Sequence, residues 1–153
     1  MEQKLSYKKK LHQHCITIIQ KRINAAKQSM QNAQAAANNE EKSSAGDKYE
    51  TSRAMSHLEK DMHARQLAAN QNEIAVLLAV ACNKIHTSVT TGSIVDCNGL
   101  TFFIAAGLGK ISFNGGTIYV LSPNASVAKS LLHKVAGNKI TFNNKEIIIK
   151  NVF

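Results

Sequence analysis

The first 81 residues of the chain contain no proline and a single glycine, Gly46. Alanine, glutamine, lysine and glutamate dominate this stretch, and such a composition is typical of helices. From Val89 onward the chain holds seven glycines, the only proline and short β-branched runs separated by turn residues, which is typical of short strands. The sequence therefore predicts an α+β protein, with a helical domain over 1–82 and a β-rich domain over 89–153.

Apolar residues of the helical part recur at spacings of three and four, which places them on one side of a helix. The strongest helix breaker between the two runs is Gly46, within the polar segment 42–47. We therefore predict an antiparallel coiled-coil hairpin of two long helices with its tip near 43–50. The first predicted row is Ile16, Ile19, Ile23, Ala26, Met30, Ala33 and Ala37, and the second is Met55, Leu58, Met62, Ala69, Ile74 and either Leu77 or Leu78.

Turn signals divide the second half into short strands. The turns are expected at Asn98-Gly99, at Asn114-Gly115-Gly116 and at Asn143-Asn144. Ser122-Pro123-Asn124 is typical of a helix start, so a short amphipathic helix is predicted over 125–133. We expect a small antiparallel sheet covered by this helix, with strands over 92–95, 101–105, 110–113, 117–121, 139–142 and 146–152.

The formal net charge is +9, and it is unevenly spread: +6 over residues 1–39, −2 over 40–83 and +5 over 84–153. A positive surface attracts polyanions or acidic protein surfaces without identifying the partner. The three cysteines, Cys15, Cys82 and Cys97, fit neither a disulfide framework nor a paired metal motif, which favours a reducing compartment. The longest apolar run, 74–82, is about half of what a membrane span requires. We expect a soluble, cytoplasmic protein, too short for a large catalytic fold.

Two acids follow the predicted bend directly. Asp47 and Glu50 are three residues apart after Gly46, so their carboxylates can emerge near one another on a helix. One interpretation is structural, since this spacing is close to that of a capping box. The other is chemical, because two carboxylates could complete a magnesium site whose other ligands belong to another macromolecule.

The order of these features resembles the bacterial Gre family of transcript cleavage factors over nearly the whole chain. The matching segments are Gly46-Asp47-Lys48-Tyr49-Glu50 at the bend, Thr91-Gly92-Ser93-Ile94-Val95, Leu121-Ser122-Pro123, and the string from Ala128 to Asn138 that contains Lys134-Val135-Ala136-Gly137. The resemblance implies an FKBP-like C-terminal domain that docks on RNA polymerase, and a hairpin that enters the secondary channel of the enzyme. It also implies a monomeric accessory factor, not an enzyme, that contacts the nascent RNA and DNA of the elongation complex.

The resemblance further implies that Asp47 and Glu50 help the polymerase to hold a second Mg²⁺ and so to hydrolyse backtracked RNA. The factor alone would bind no cofactor. Lys48, Tyr49 and Arg53 are candidates for supporting the tip or contacting RNA, and Arg53 could instead pair with Glu50. The candidate polymerase-docking residues are Ser122, Pro123, Phe102 and Phe103, although the two phenylalanines fit a core better than a docking surface.

The chain continues with Thr51-Ser52-Arg53-Ala54 where the family has Asn, Ala, a further acid and Tyr. This departure leaves a second function open: a non-catalytic coiled-coil protein that binds or inhibits polymerase, or binds another partner, with Asp47 and Glu50 acting only as caps. Other polar clusters indicate less. His12, His14 and Cys15 point in different directions around a helix, which disfavours zinc; His133 closes a helix, and Cys97 precedes a turn without an identifiable base.

Overall fold

The computed structural model describes residues 2–42 and 46–153, without the side chains of residues 37, 39–42, 46–50 and 52. Two long helices come first: α1 spans Glu2–Lys42 and α2 spans Gly46–Ala79. Within the described residues they are followed by β1 (Ile94–Cys97), β2 (Leu100–Ile104), β3 (Gly109–Phe113), β4 (Gly116–Leu121), α3 (Ser126–Leu131), β5 (Lys139–Phe142), β6 (Lys145–Ile148) and β7 (Asn151–Val152). The predicted α+β class, a helical hairpin followed by a sheet with one short helix, is confirmed.

The chain forms two compact units. The first contains Met1–Thr17 and Glu73–Phe153, and the second contains Ile18–Asn72. Both long helices therefore contribute to both units. The predicted domains, 1–82 and 89–153, have boundaries that differ from those of the two units, and they stay a prediction. None of the helices in the described part of the chain combines the length and the apolar character that crossing a membrane requires.

α1 buries one side along its length. The buried positions follow one another at spacings of three, four or seven residues, as expected for a single helix face. In the second unit, four members of the predicted row, Ile19, Ile23, Ala26 and Ala33, are at most 6% exposed. Ile16 and Met30 are half-buried, and the side chain of Ala37 lies outside the described part of the chain. In the first unit the same face continues toward the N-terminus through Cys15 and Leu11 to Lys8, all with no exposed surface.

The second predicted row, on α2, is wrong over its first four residues, since Ala69 is exposed as well; at its end, Ile74 is half-buried and Leu77 is fully buried. Met55, Leu58 and Met62 expose 65%, 69% and 49% of their surface. The side of α2 that is covered in this unit instead carries Ser56, which is buried, and Lys60, whose Nζ donates a 2.6 Å hydrogen bond to Gln34 Oε1 on α1. The apolar residues of α2 thus face solvent here, while polar residues face α1. Apolar spacing alone does not identify the side of α2 that faces α1.

The main sheet has five strands in the order β3-β4-β2-β1-β7. β1 pairs antiparallel with β2 and with β7, and β3 pairs antiparallel with β4. The exception is the central pair, β2 and β4, which is parallel with Phe103 opposite Val120. The sheet is therefore dominated by antiparallel pairs, as predicted, but it contains one parallel pair because the β3 hairpin returns the chain to the far side of β2.

Both faces of the sheet are covered. On one face, Phe102 belongs to a buried core with Leu131 of α3 and Ile140 of β5, and its ring lies against the rings of Tyr119 and Phe142 at 5.8 and 5.3 Å. Successive residues of a strand point to opposite faces, so the neighbouring Phe103 belongs to the other face, and it is also fully buried.

The last predicted strand, 146–152, is divided in the structure. Its first half is β6, which pairs with β5 in a separate two-stranded sheet, and its second half is β7, at the edge of the main sheet. Between them, Ile149 N donates a 2.9 Å hydrogen bond to Asn138 O and Lys150 N donates one of 2.7 Å to Asp96 O. The chain thus changes its pairing partner at these two residues, which the run of three isoleucines that ends at Ile149 did not indicate.

Candidate functional site

The two acids of the bend lie in the first turns of α2. Gly46 begins the helix, so Asp47 is its second residue and Glu50 its fifth. A spacing of three places both residues on one side of a helix, one turn apart. Residues 43–45 and the side chains of Asp47, Lys48, Tyr49 and Glu50 lie outside the described part of the chain. The predicted roles of these four side chains therefore stay predictions.

The donor set at this position fits a magnesium ion. Mg²⁺ prefers oxygen ligands, takes about six of them, and is commonly bound through one or two carboxylates with the remaining positions left to water and phosphate. Asp47 and Glu50 supply two such carboxylates close to the N-terminus of α2. Two carboxylates alone leave most of the shell to other ligands, so the pair suits an ion shared with a second macromolecule.

A second cluster of polar side chains lies at the junction between the helices and the main sheet, all of it within the first unit. We define the helix–sheet junction as Tyr7, Lys8, His12, His14 and Glu73 together with the backbone groups they contact. The Tyr7 ring meets Phe113 edge-on at 5.5 Å and Phe153 at 6.1 Å. Since Phe153 pairs with Ile94 through two backbone hydrogen bonds, α1 covers the sheet face opposite the Phe102 core.

Three polar side chains of α1 in the junction bond to backbone carbonyls. Lys8 Nζ donates to Lys84 O at 2.7 Å, and His12 Nε2 donates to Leu77 O at 2.6 Å. His14 Nε2 donates to Ser112 O on β3 at 3.0 Å. The pairs 8 with 84 and 12 with 77 run in opposite directions along the two segments, so this part of the hairpin is antiparallel, as predicted.

α2 is fixed to the sheet at both sides of its C-terminal turn. Glu73 Oε2 accepts a 2.7 Å hydrogen bond from Gly107 N, in the loop between β2 and β3. Gly92, just before β1, has a φ of +93°, and a Cβ there would lie 3.2 Å from Ala81 O. Glycine is favoured at this position, because L-residues rarely adopt this backbone conformation and a side chain would also be in tight contact with the end of the helical hairpin.

Burial shifts the pKa values of Lys8 in the junction and of two cysteines, Cys82 and Cys15. It lowers the pKa of Lys8, an effect that Cys82 partly opposes, and it raises the pKa of Cys82, which Lys8 partly offsets. Burial, together with Cys82, raises the pKa of Cys15 to about 12. A thiol with so high a pKa holds almost no thiolate at neutral pH, and thiolate is the nucleophilic form. The arrangement therefore favours a structural role over nucleophilic catalysis.

The predicted docking residues divide into two pairs. Phe102 and Phe103 are both fully buried, so neither side chain offers surface to a partner. Their prediction as docking residues is therefore wrong. The reason is that β2 lies in the centre of the sheet, where both of its faces are covered. Ser122 and Pro123 are half-buried between β4 and α3, where Ser122 Oγ accepts a 3.2 Å hydrogen bond from Asn124 N. Docking through these two residues stays a prediction.

The remaining candidates of the sequence are placed as follows. Arg53 is exposed on α2. His12 and His14 bond to different carbonyls, and the described residues contain no group of three or more His, Cys, Asp or Glu side chains that could hold a metal ion. His133 lies beyond the end of α3 at a φ of +67°, with its N–H donated to Val89 O.

Lys8 and Glu73 are the residues of the junction that the sequence did not single out. Lys8 appears in the sequence as one of three consecutive lysines, which is typical of a solvated face. Its spacing of three from Leu11 and of seven from Cys15 was the available signal, because it places Lys8 on the buried face. Glu73 bonds across 34 residues to a backbone group, and no local pattern predicts such a pair.

No protein-family model and no curated protein matches the chain. Among solved structures, the chain is similar to one described as the structure of the transcription factor Gfh1. The two chains share 12% sequence identity with a TM-score of 0.36, and the alignment covers 90% of this chain and 92% of the other.

Proposed function

We propose that this protein is a Gre-like transcription elongation factor that binds RNA polymerase and presents Asp47 and Glu50 to the active site through the secondary channel. The observation that carries the proposal is the position of the two acids, in the first turns of α2 directly after the bend of a helical hairpin. A sheet module whose own segment is positively charged follows the hairpin in the chain. The resemblance of the matching sequence segments supplies the partner.

The electrostatics of the sequence support this assignment. The segment that contains the bend carries an excess of acids, in contrast to the positive segments on either side. Carboxylates near a catalytic centre for phosphodiester hydrolysis neutralise and orient a cation, whereas basic side chains would repel it. When bound, Mg²⁺ polarises the phosphate oxygens of the RNA. Asp47 and Glu50 would hold the ion from one side, and the polymerase would supply the other ligands and perform the hydrolysis.

Backtracked elongation complexes test the proposal. RNA cleavage in Mg²⁺ should be faster with the protein than without it, and the double variant D47N/E50Q should lose this gain while its circular dichroism spectrum stays helical. The matched control is E40Q/E41Q, which also removes two negative charges, in this case from the end of α1. This control variant should retain the stimulation. Equal stimulation by D47N/E50Q and the wild type would contradict the role of the two acids.

A second candidate is a factor that occupies polymerase without stimulating cleavage. The observation that favours it is the segment Thr51-Ser52-Arg53-Ala54, which departs from the Gre pattern directly after Glu50. In this case Asp47 and Glu50 stabilise the start of α2 through the helix dipole only. Binding of purified core RNA polymerase to the immobilised protein, with no acceleration of cleavage and no difference between wild type and D47N/E50Q, would identify this function instead.

A further inference from the structure

The second unit exposes three large apolar side chains in successive turns of one helix. Met55, Leu58 and Met62 of α2 expose 65%, 69% and 49% of their surface. Their spacing of three and four puts them on one line along the helix. We name these three residues the outer row, since the covered side of α2 is marked by Ser56 and Lys60.

The outer row is more apolar than Ser56 and Lys60, which mark the covered side of α2 in this unit. On the covered side of α2, the described contacts involve a serine and a lysine, while two methionines and a leucine face solvent. Isolated apolar residues on a surface are ordinary, but a contiguous row is a recurrent mark of a binding surface. Methionine in particular adapts its unbranched side chain to different partners.

Acidic residues flank the outer row on both sides. Glu59 and Asp61, both exposed, lie between Leu58 and Met62 in the sequence. Glu59 directly follows Leu58, and Asp61 directly precedes Met62. On a helix these spacings place Glu59 along one border of the row and Asp61 along the other. One turn beyond Met62, the last residue of the row, lies Arg65, which is also exposed. An apolar line between acids complements a helix whose own apolar line lies between basic residues.

A second copy of this chain fits the row poorly. Two outer rows packed antiparallel about Leu58 would bring Glu59 of one copy beside the same acid of the other, and like charges at such flanking positions select against pairing. The surface therefore suits a heterologous contact.

We propose that the outer row is a docking site for an amphipathic helix of a partner protein, with apolar residues spaced three and four apart and Lys or Arg on their flanks. Met55, Leu58 and Met62 form the apolar contact. Glu59 and Asp61 select the basic flanks and orient the partner helix. This contact is independent of Asp47 and Glu50, so it holds for either function proposed above.

Two synthetic helical peptides test the proposal by fluorescence anisotropy with the full chain. Both carry the same leucine row, and one has lysines and the other glutamates at the flanking positions. We expect the lysine peptide to bind at least about tenfold more tightly, with an affinity that falls as salt is added. The variant M55Q/L58Q/M62Q should lose about tenfold in affinity, whereas L78Q, which changes an exposed leucine elsewhere on α2, should bind as the wild type does.

Charge exchange provides the decisive arm. E59K/D61K should prefer the glutamate peptide, reversing the selectivity of the wild type, while circular dichroism shows unchanged helicity. Three results would overturn the proposal: no binding of either peptide, equal binding of both by the wild type, or full binding by M55Q/L58Q/M62Q. Sedimentation velocity of the wild type serves as the remaining check, since a dimer that M55Q/L58Q/M62Q abolishes would assign the row to a second copy and contradict it.

Discussion

Lys8 Nζ donates a 2.7 Å hydrogen bond to the carbonyl oxygen of Lys84, and no part of the Lys8 side chain is exposed. The bond joins the first helix to the segment that follows the second one. A buried cation is costly unless it is hydrogen-bonded, and the neighbouring Cys82 favours the charged form only weakly against the effect of burial. Lys8 is therefore held by its position on the buried face of α1 and by its hydrogen bond to Lys84 O.

We expect K8A to lower the free energy of unfolding by about 2–4 kcal/mol, because it removes a fully buried aliphatic stem and leaves the Lys84 carbonyl without its donor. K9A, which changes an exposed neighbour, should cost less than about 0.5 kcal/mol. Urea denaturation followed by circular dichroism measures both. Similar values for the two variants would show that the burial of Lys8 contributes nothing to stability.

The adjacent leucines at the end of α2 give a matched pair. Leu77 has no exposed surface and Leu78 is 59% exposed. L77A should therefore cost about 2–5 kcal/mol through the lost apolar burial and the remaining cavity, whereas L78A should cost less than about 0.5 kcal/mol. Thermal and urea unfolding check this difference. The reverse order would place the covered side of α2 at Leu78, contrary to the structure.

The raised pKa of Cys15 predicts that the protein loses stability at alkaline pH. Its pKa is raised from 9.0 to about 12, because burial, and secondarily Cys82, disfavour the thiolate. Between these two pH values the unfolded chain releases a proton that the native chain keeps, so the stability contributed by Cys15 is complete below pH 9.0 and decreases as the pH rises toward about 12. The difference in the free energy of unfolding between wild type and C15A should be constant at neutral pH and shrink above pH 9.0.

Urea titrations at several pH values measure this difference, and alkylation by iodoacetamide gives a second reading. At neutral pH Cys15 should react far more slowly than a free thiol, since it is buried and protonated. A difference between wild type and C15A that stays unchanged throughout the alkaline range would contradict the raised pKa.

The local features of this fold were predictable from the sequence. The turns at Asn98-Gly99 and Asn114-Gly115 depend on residues that adopt positive φ, and Gly99, Asn114 and Gly115 do so in the structure. Each turn fixes the register of its own hairpin, such as Cys97 opposite Leu100. The helical hairpin was likewise predictable, because composition and the single glycine before residue 82 specify two long helices.

The relationships between distant segments were not predictable. The parallel pairing of β2 with β4 places Phe103 beside Val120 and depends on how the β3 hairpin folds back. The orientation of α2 was mistaken because its apolar residues Met55, Leu58 and Met62 face outward, while the covered side carries Ser56 and Lys60, which bonds to Gln34. Of the candidate site, the sequence places Asp47 and Glu50 near the start of α2, whereas their partner is outside what one chain can specify.

The shared first unit has a consequence for anyone who wishes to isolate the β-rich module. Tyr7 lies against Phe113 and Phe153, and His14 is bonded to Ser112, although the members of each pair are at least 98 residues apart along the chain. A fragment that starts after α2 would expose these rings to water and lose its cover. A workable minimal version would be circularly permuted or would carry the opening turns of α1 as a separate peptide.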